Sequence, residues 1–347
     1  MKHGHRTEVA ENGTARLHGS MAPVASAPRE RWPFPVGAGS DTPYFMSYNW
    51  KTCDLAGPMR PGCEERQVPA GLASRPAPPD DVFCWPLVDT WRARVWAMLA
   101  DIVTDEVKAA FVENPPEHVV SDDLSWLDDI VSEVTGIEID IKQLTAARLA
   151  TEWRAFRAAH ATRTDDVCRF YREGLRLLRA DDAERRARDL LLDGRFGQAN
   201  EERLAAAIED VGARAPVGGR EGRLYFCADE SSLVTRRGGS GHYLVYGGEY
   251  LYCLAIRTVG TLDARRVLKS VGRPTMFLCD IPMPRMRHET LLEFAGSILE
   301  YLFCELVEGL EARALSPGAG SALSLAEDLP GEYIVGHYHP VAVENPL

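Results

Sequence analysis

The sequence predicts an α+β protein: an irregular N-terminal leader and an all-helical segment precede a mixed α+β domain with a small buried sheet. Apolar residues recur every three or four positions through much of the chain, which is the helical period. Short apolar and aromatic runs typical of buried strands are concentrated in the second half. The first 80 residues hold 11 of the 22 prolines. We therefore divide the 347 residues into segments 1–80, 81–165 and 166–347.

Residues 1–80 are predicted to form an extended, Pro-rich leader, because they show no sustained periodicity and their 9 basic and 8 acidic residues nearly balance. Two aromatic clusters interrupt this leader, at positions 32–35 and 44–50. Aromatic side chains are costly to leave in water. We expect these clusters to dock on the body of the protein.

Residues 81–165 are predicted to form a helical accessory domain. Trp91, Val95 and Leu99 recur at intervals of four, and Pro115 and Pro116 end this helical stretch. Ser121, followed by two aspartates, is a candidate N-cap for a second helix that runs towards residue 136. A third helix is predicted from about residue 142 onwards, with one apolar stripe: Leu149, Trp153, Phe156 and His160.

Residues 166–347 are predicted to form the mixed α+β domain. Strands are expected at residues 167–171, 223–227, 274–282 and 333–335. Helices are expected at residues 180–192, 200–208, 249–257 and 288–310. The 288–310 pattern is the clearest in the chain, with Leu291, Ala295, Ile298, Leu302 and Leu306 on one face.

Charge and hydropathy restrict the classes of partner. The formal charge of −12 and the pI near 5.3 argue against a general nucleic-acid binder, which needs clustered Lys and Arg. No run approaches the roughly 18 apolar residues of a membrane span, and the basic N-terminus lacks the apolar core of a signal peptide. We predict a cytoplasmic protein. Residues 81–160 carry 15 acidic and 7 basic residues, which form either a solvated face or a surface for a protein partner.

The densest group of polar and aromatic residues follows a glycine cluster at positions 238–241. If the chain is helical there, His242, Tyr246 and Glu249 share one face and are candidates to bind a ligand. The alternative is that Tyr246 is a core residue and Glu249 a surface charge. The glycine cluster itself is either a phosphate-binding loop or a flexible turn.

Two histidines near the C-terminus are candidate metal ligands. His337 and His339 point to the same side if this segment is a strand. A metal site needs at least a third ligand, and no carboxylate lies at a diagnostic spacing. We predict no metal site and interpret the pair as histidines at a surface turn or beside a pocket.

The order of elements in residues 166–347 resembles ADP-ribosyltransferase-like domains. The resemblance is carried by residues 170–175 as an opening strand, 224–226 as a second strand with its aromatic residue, 274–278 as a later core strand and 329–335 as a closing, Glu-containing strand. The chain departs from the family pattern in lacking a Ser-Thr-Ser segment and an ExE pair.

The resemblance implies that NAD is a substrate and that its nicotinamide bond is cleaved. By position, Arg172 would hold the dinucleotide and Tyr225 or Tyr246 would stack on a ring. The carboxylate beside the ribose would be Glu249 or Glu332. The sequence thus predicts an NAD-using, ADP-ribosyltransferase-like enzyme; the alternative is a non-catalytic interaction protein that docks a partner through its acidic helices.

Overall fold

The structure is a computed structural model that describes residues 75–215, 219–234, 240–308 and 322–344. The aromatic clusters of the leader and residues 238 and 239 of the glycine cluster lie outside these ranges. The described residues form an α+β fold, as predicted, in which helices surround one six-stranded sheet. In the described part of the chain, no helix is both long and apolar enough to cross a membrane.

Twelve α-helices occur in the described residues. Several are capped by the side chain of the preceding residue: Thr104, Asp140, Asp166 and Asn200 each accept a hydrogen bond from a backbone N–H in the first turn. The helices are α1 (Val88–Leu99), α2 (Asp105–Glu113), α3 (Ser125–Thr135), α4 (Ile141–Glu152), α5 (Val167–Glu173), α6 (Ala180–Leu191), α7 (Glu201–Val211), α8 (Ser231–Val234), α9 (His242–Tyr246), α10 (Glu249–Val259), α11 (Thr261–Ser270) and α12 (His288–Glu308).

The strands of the sheet are β1 (Val82–Phe83), β2 (Ala155–Thr164), β3 (Leu224–Cys227), β4 (Arg273–Pro282), β5 (Ala322–Leu325) and β6 (Ile334–Tyr338). Five of them have the order β5-β3-β2-β4-β6, and β1 pairs with β2 in parallel outside this order. Strand β2 pairs with β4 along its whole length. In contrast, the only pair that joins described residues of β2 and β3 is Ala159 with Cys227. The two strands therefore part beyond that point.

One face of the sheet carries the main apolar core. Phe156 of β2 and Phe294 of α12 lie with their rings 4.6 Å apart, and Phe303 of α12 contacts Phe111 of α2 at 4.9 Å. Trp91 of α1 is fully buried in the same cluster. Burying a large side chain of this kind contributes about 1.5–3 kcal/mol. Helices α1 to α4 thus share one core with α12 and the sheet.

Two smaller clusters lie around the site described below. Helices α6, α7, α10 and α11 pack together through Leu191, Leu204, Leu254 and Val267. The second face of the sheet, with Ala159 and Met276, is covered by Leu233 of α8 and Leu244 of α9. Small side chains on β2 let these short helices approach the sheet closely.

The helix predicted from residue 142 towards His160 ends earlier than expected. Helix α4 ends at Glu152, Trp153 is extended, and residues 155–164 form β2. Because β2 has neighbours on both edges and helices on both faces, residues 155–159 are all buried, and buried and half-buried residues alternate only in the second half of the strand. The four-residue spacing of Leu149 and Trp153 continued by chance into the strand.

Two further sequence predictions are wrong in their local structure. Residues 167–171 form helix α5 rather than a strand, because the Asp166 carboxylate accepts a hydrogen bond from the Arg169 backbone N–H and starts a helix there. Ser121 is not an N-cap, since α3 begins at Ser125, whose N–H donates to Asp123. The strands predicted at residues 223–227 and 274–282 and the helix from His288 are confirmed.

Candidate functional site

The parting of β2 and β3 opens a cleft of about 300 Å³. Residues 160–162 of β2 form one wall, and residues 223–225 at the start of β3 form the opposite wall. The loop at 176–179, helix α6 and the turn between α9 and α10 complete the lining. The cleft therefore lies inside the sheet, in a gap where backbone pairing is missing.

The turn from α9 into α10 depends on two glycines. Gly247 has φ 82° and Gly248 has φ 138°, backbone conformations that other residues rarely adopt. Helix α10 then begins at Glu249 and directs its N-terminal end, where backbone N–H groups carry partial positive charge, towards the cleft.

Arg163 fixes this turn to the sheet. Its guanidinium group donates hydrogen bonds of 2.7–3.1 Å to the backbone carbonyls of Leu244, Lys269, Val271 and Gly272. A single buried side chain thus connects β2 with α9, with the end of α11 and with the segment that leads into β4. Arg163 positions the wall that carries Glu249 without lining the cleft itself.

Glu249 is the acidic group of that wall. Its carboxylate forms an ion pair with Arg220, and Nε2 of His242 lies 3.6 Å from the same carboxylate oxygen. The ring of His242 packs on that of Tyr243, with centroids 4.2 Å apart. Burial raises the pKa of Tyr243, so its phenol is neutral and serves as a hydrogen-bonding group and a ring surface.

Arginines dominate the charge of the cleft, which is lined by five of them: Arg176, Arg179, Arg186, Arg220 and Arg223. Three have acidic partners, Glu173 for Arg176, Asp328 for Arg179 and Glu249 for Arg220. Arg186 and Arg223 form no ion pair with any residue that the structure describes. Burial lowers the pKa of Arg186, which indicates that its charge is only partly hydrated. The cleft therefore holds positive charge that the protein leaves unbalanced.

The structure brings some of the residues singled out from the sequence together. Tyr225 and Glu249 line the cleft, and His242 contacts Glu249. Tyr246 lies elsewhere: it is fully buried and stacks on Tyr252 with centroids 4.4 Å apart. Tyr246 is therefore a core residue, which is the alternative to a ligand-binding role for this tyrosine.

Arg172 and Glu332 do not line the cleft. Arg172 is exposed in the last turn of α5, and Glu332 is exposed in a 3₁₀ turn, Gly331–Tyr333, that packs against α5. The approach is so close that a Cβ at Gly331 would lie 2.0 Å from the Tyr171 carbonyl oxygen. Glu249 is thus the member of the glutamate pair that lies in the cleft.

Sequence reasoning missed His160, Arg186, Arg220 and Arg223. These residues come from three separate segments, β2, α6 and the stretch before β3, so no local motif joins all of them. One available signal was the density of arginine in residues 163–188, where eight arginines occur. The same stretch holds six acidic residues, so the pattern indicates a highly charged surface and does not show which side chains converge.

The C-terminal histidines lie at the opposite edge of the sheet, on β6 and just after it. Nδ1 of His337 is 2.8 Å from the Tyr171 hydroxyl, and Nδ1 of His339 is 3.0 Å from the Pro274 carbonyl oxygen. Among the residues described by the structure, no group of three His, Cys, Asp or Glu side chains is arranged to hold a metal ion.

Comparisons with protein-family models, with curated proteins and with solved structures found no significant match to this chain. The geometry and charge of the cleft are therefore the basis on which a function is proposed.

Proposed function

We propose that the cleft binds a nucleotide through its diphosphate, with NAD as the candidate, and that the protein is an ADP-ribosyltransferase-like enzyme with Glu249 as its carboxylate. One observation carries the proposal: Arg186 and Arg223, both without an acidic partner in the described residues, line the same cleft as Glu249 and Tyr225. We place this reaction in the cytoplasm, where a soluble dinucleotide would be the small-molecule partner.

The unbalanced arginines suit a phosphorylated ligand. A diphosphate bridge carries two negative charges at neutral pH, and a planar guanidinium group binds phosphate oxygens through two parallel hydrogen bonds. Arg186 approaches from α6 and Arg223 from the start of β3, on different walls of the cleft. The N-terminal end of α10 adds backbone N–H groups with partial positive charge. A dianionic group between these walls would neutralise the positive charges of Arg186 and Arg223.

Glu249 suits the chemistry of an N-glycosidic bond. When such a bond breaks, positive charge develops on the ribose carbon, and a carboxylate nearby stabilises the transition state. The ion pair with Arg220 fixes the position of the Glu249 carboxylate on the cleft wall. Tyr225 and Tyr243 provide ring surfaces against which a base or a nicotinamide ring would stack. In this proposal Arg186 and Arg223 hold the dinucleotide, the role that the resemblance implied for Arg172.

Binding is tested by thermal unfolding with NAD, ADP-ribose or nicotinamide. A ligand at about 100 times its dissociation constant stabilises the native state by about 2.7 kcal/mol. We expect NAD and ADP-ribose to stabilise the wild type and R186M to lose most of this effect. The matched control is R188M, since Arg188 lies on the same helix but pairs with Glu201 away from the cleft. If neither NAD nor ADP-ribose stabilises the wild type, the proposal is wrong. Binding of a protein partner by the acidic helices then becomes the better hypothesis.

Catalysis is tested by the release of nicotinamide from NAD. We expect E249Q to lower turnover by about 10²–10³-fold, the usual cost of removing one group that stabilises transition-state charge. E332Q serves as the control because Glu332 is exposed and outside the cleft. Equal turnover in wild type and E249Q would exclude Glu249 as the catalytic carboxylate, while NAD binding would remain to be judged from the unfolding data.

A further inference from the structure

Helices α6 and α10 pack against each other, and each carries a group that the proposed function assigns to the ligand. Arg186 lies on α6, and Glu249 begins α10. Tyr250, the residue after Glu249, is 4% exposed and lines the cleft. Its hydroxyl donates a hydrogen bond of 2.8 Å to Oε1 of Glu184, two residues before Arg186 on α6. A side-chain hydrogen bond therefore joins the two helices beside both of these groups.

Glu184 is a strong acceptor for this hydrogen bond. Arg214 donates hydrogen bonds to both of its carboxylate oxygens, and the Glu184 side chain is 13% exposed. Burial acts to raise the pKa of Glu184, but the hydrogen bonds from Arg214 and Tyr250 outweigh burial and lower the pKa. Glu184 is therefore charged at neutral pH, and a hydrogen bond to a charged group is stronger than one between neutral groups.

The segment between α7 and β3 also reaches both helices. Besides Arg214, which binds α6, it contributes Arg220, which forms the ion pair at the start of α10. The backbone N–H groups of Arg220 and Glu221 both donate to the carbonyl oxygen of Ala213, at 2.9 and 3.1 Å. The Glu221 carboxylate in turn accepts a hydrogen bond of 3.0 Å from the backbone N–H of Ala180, the first residue of α6. The two helices are thus held together directly by Tyr250 and indirectly by this segment.

From this arrangement we infer that Tyr250 is a positioning residue: through Glu184 it holds Arg186 at a set distance from the carboxylate that begins α10. The inference rests on the proposed function and deepens it, because a dinucleotide that bridges the two helices needs both groups in place at once. A displacement of about 1 Å within such a site costs up to about 100-fold in rate. The hydroxyl of Tyr250 acts on the ligand through Arg186 and not by a contact of its own.

The test is a double-mutant cycle on the affinity for ADP-ribose, measured by calorimetric titration with Y250F and R186M. Y250F removes the hydroxyl and keeps the buried ring. We expect Y250F to raise the Kd about three- to tenfold, the range for one lost hydrogen bond, and to have no further effect once R186M is present. The matched control is Y252F, because the Tyr252 hydroxyl lies on the same helix but accepts from Arg265 outside the cleft.

Each outcome of the cycle has one interpretation. Unchanged affinity in Y250F, with normal binding by the wild type, would overturn this inference alone. Equal losses from Y250F in the wild-type and R186M backgrounds would also overturn it, since Tyr250 would then contact the ligand directly. If neither NAD nor ADP-ribose binds the wild type, the proposed function and this inference fail together.

The link between the helices is tested separately, without ligand, by hydrogen exchange. We expect the backbone amides of residues 184–188 on α6 to exchange with solvent faster in Y250F than in the wild type or Y252F, because α6 loses its bond to α10. Equal exchange in the three proteins would overturn the inference, whatever the affinities show.

Discussion

Two sets of arginines lie on β2 or across the gap beside it, and they differ in the partners that the protein provides for their charge. Arg157 on β2 is buried and forms an ion pair with Asp280, with each side chain 8% exposed. Arg163 on the same strand is satisfied by four backbone carbonyls. Arg186 and Arg223, across the gap, have no acidic partner in the described part of the chain.

The difference separates arginines that stabilise the fold from arginines that are available to a ligand. Removing a charge from water is costly unless hydrogen bonds and an opposite charge compensate for it. The protein meets this requirement at Arg157 and Arg163 and leaves it unmet at Arg186. A phosphorylated ligand would supply the compensation that the chain does not provide there.

The largest effect on stability is expected from D280A. This substitution leaves the buried guanidinium of Arg157 without its partner, which costs about 3–5 kcal/mol. Urea unfolding followed by circular dichroism measures the loss. The control is D81A, because the Arg154–Asp81 pair is more than half exposed and its removal should change the stability little. Equal losses in both variants would show that the buried pair is no more important than a surface pair.

A smaller effect of opposite sign is expected from R186M in the absence of ligand. This change removes a partly buried charge that has no acidic partner among the described residues and retains the apolar stem, so the free energy of unfolding should be unchanged or rise by up to about 1 kcal/mol. The same urea experiment measures it, with R157M as the destabilised counterpart. A loss of more than about 1 kcal/mol in R186M would place Arg186 among the structural arginines and remove the contrast.

The smallest effect is expected at Glu230. This buried acid has polar partners, as Arg157 and Arg163 do, but its burial is only partly compensated. It accepts a hydrogen bond of 2.6 Å from the Tyr338 hydroxyl and lies 3.3 Å from Arg75, yet burial raises its pKa above the ordinary 4.5. The native state therefore binds this proton more tightly than the unfolded chain does, and the contribution of Glu230 to stability declines as the pH rises above about 4.5. The neutral variant E230Q should lack this decline.

The measurement is the free energy of unfolding of wild type and E230Q from pH 4 to 8. We expect the wild type to lose stability relative to E230Q as the pH rises. A difference that stays constant, or that changes in favour of the wild type at higher pH, would show that Arg75 compensates fully for the burial of Glu230. Glu230 would then resemble Asp280, whose burial is compensated by an arginine partner.

Much of the fold was predictable because local pattern and tertiary environment agree. Helix α12 presents a continuous apolar face to the core, and β4 combines apolar content with strand length. Strand β2 was missed because pairing on both edges and burial on both faces, rather than intrinsic preference, hold its alanines in a strand. Helix α5 was missed because the Asp166 cap outweighs the apolar and aromatic run that suggested a strand.

The candidate site was predictable mainly where its residues are neighbours in sequence, and Tyr225 was found through the family resemblance instead. His242 and Glu249 were found together because one turn of chain joins them. Arg186 lies on α6 and Arg223 lies just before β3, so the two residues are far apart along the chain and no short spacing connects them. Arg172 was selected from a short resemblance, and it lies exposed in the last turn of α5, outside the cleft.

The single residue pair between β2 and β3 also has a mechanical consequence. Strands β3 and β5 form a four-residue ribbon, and among the described residues Ala159 and Cys227 are the only backbone register pair between this ribbon and β2. A ligand that binds in the gap would contact both this ribbon and β2 and would restrain their relative motion. We expect the backbone amide hydrogens of Tyr225 and Phe226 to exchange with solvent more slowly when a ligand fills the cleft. The exchange rates of these two residues would therefore detect binding without any assay of turnover.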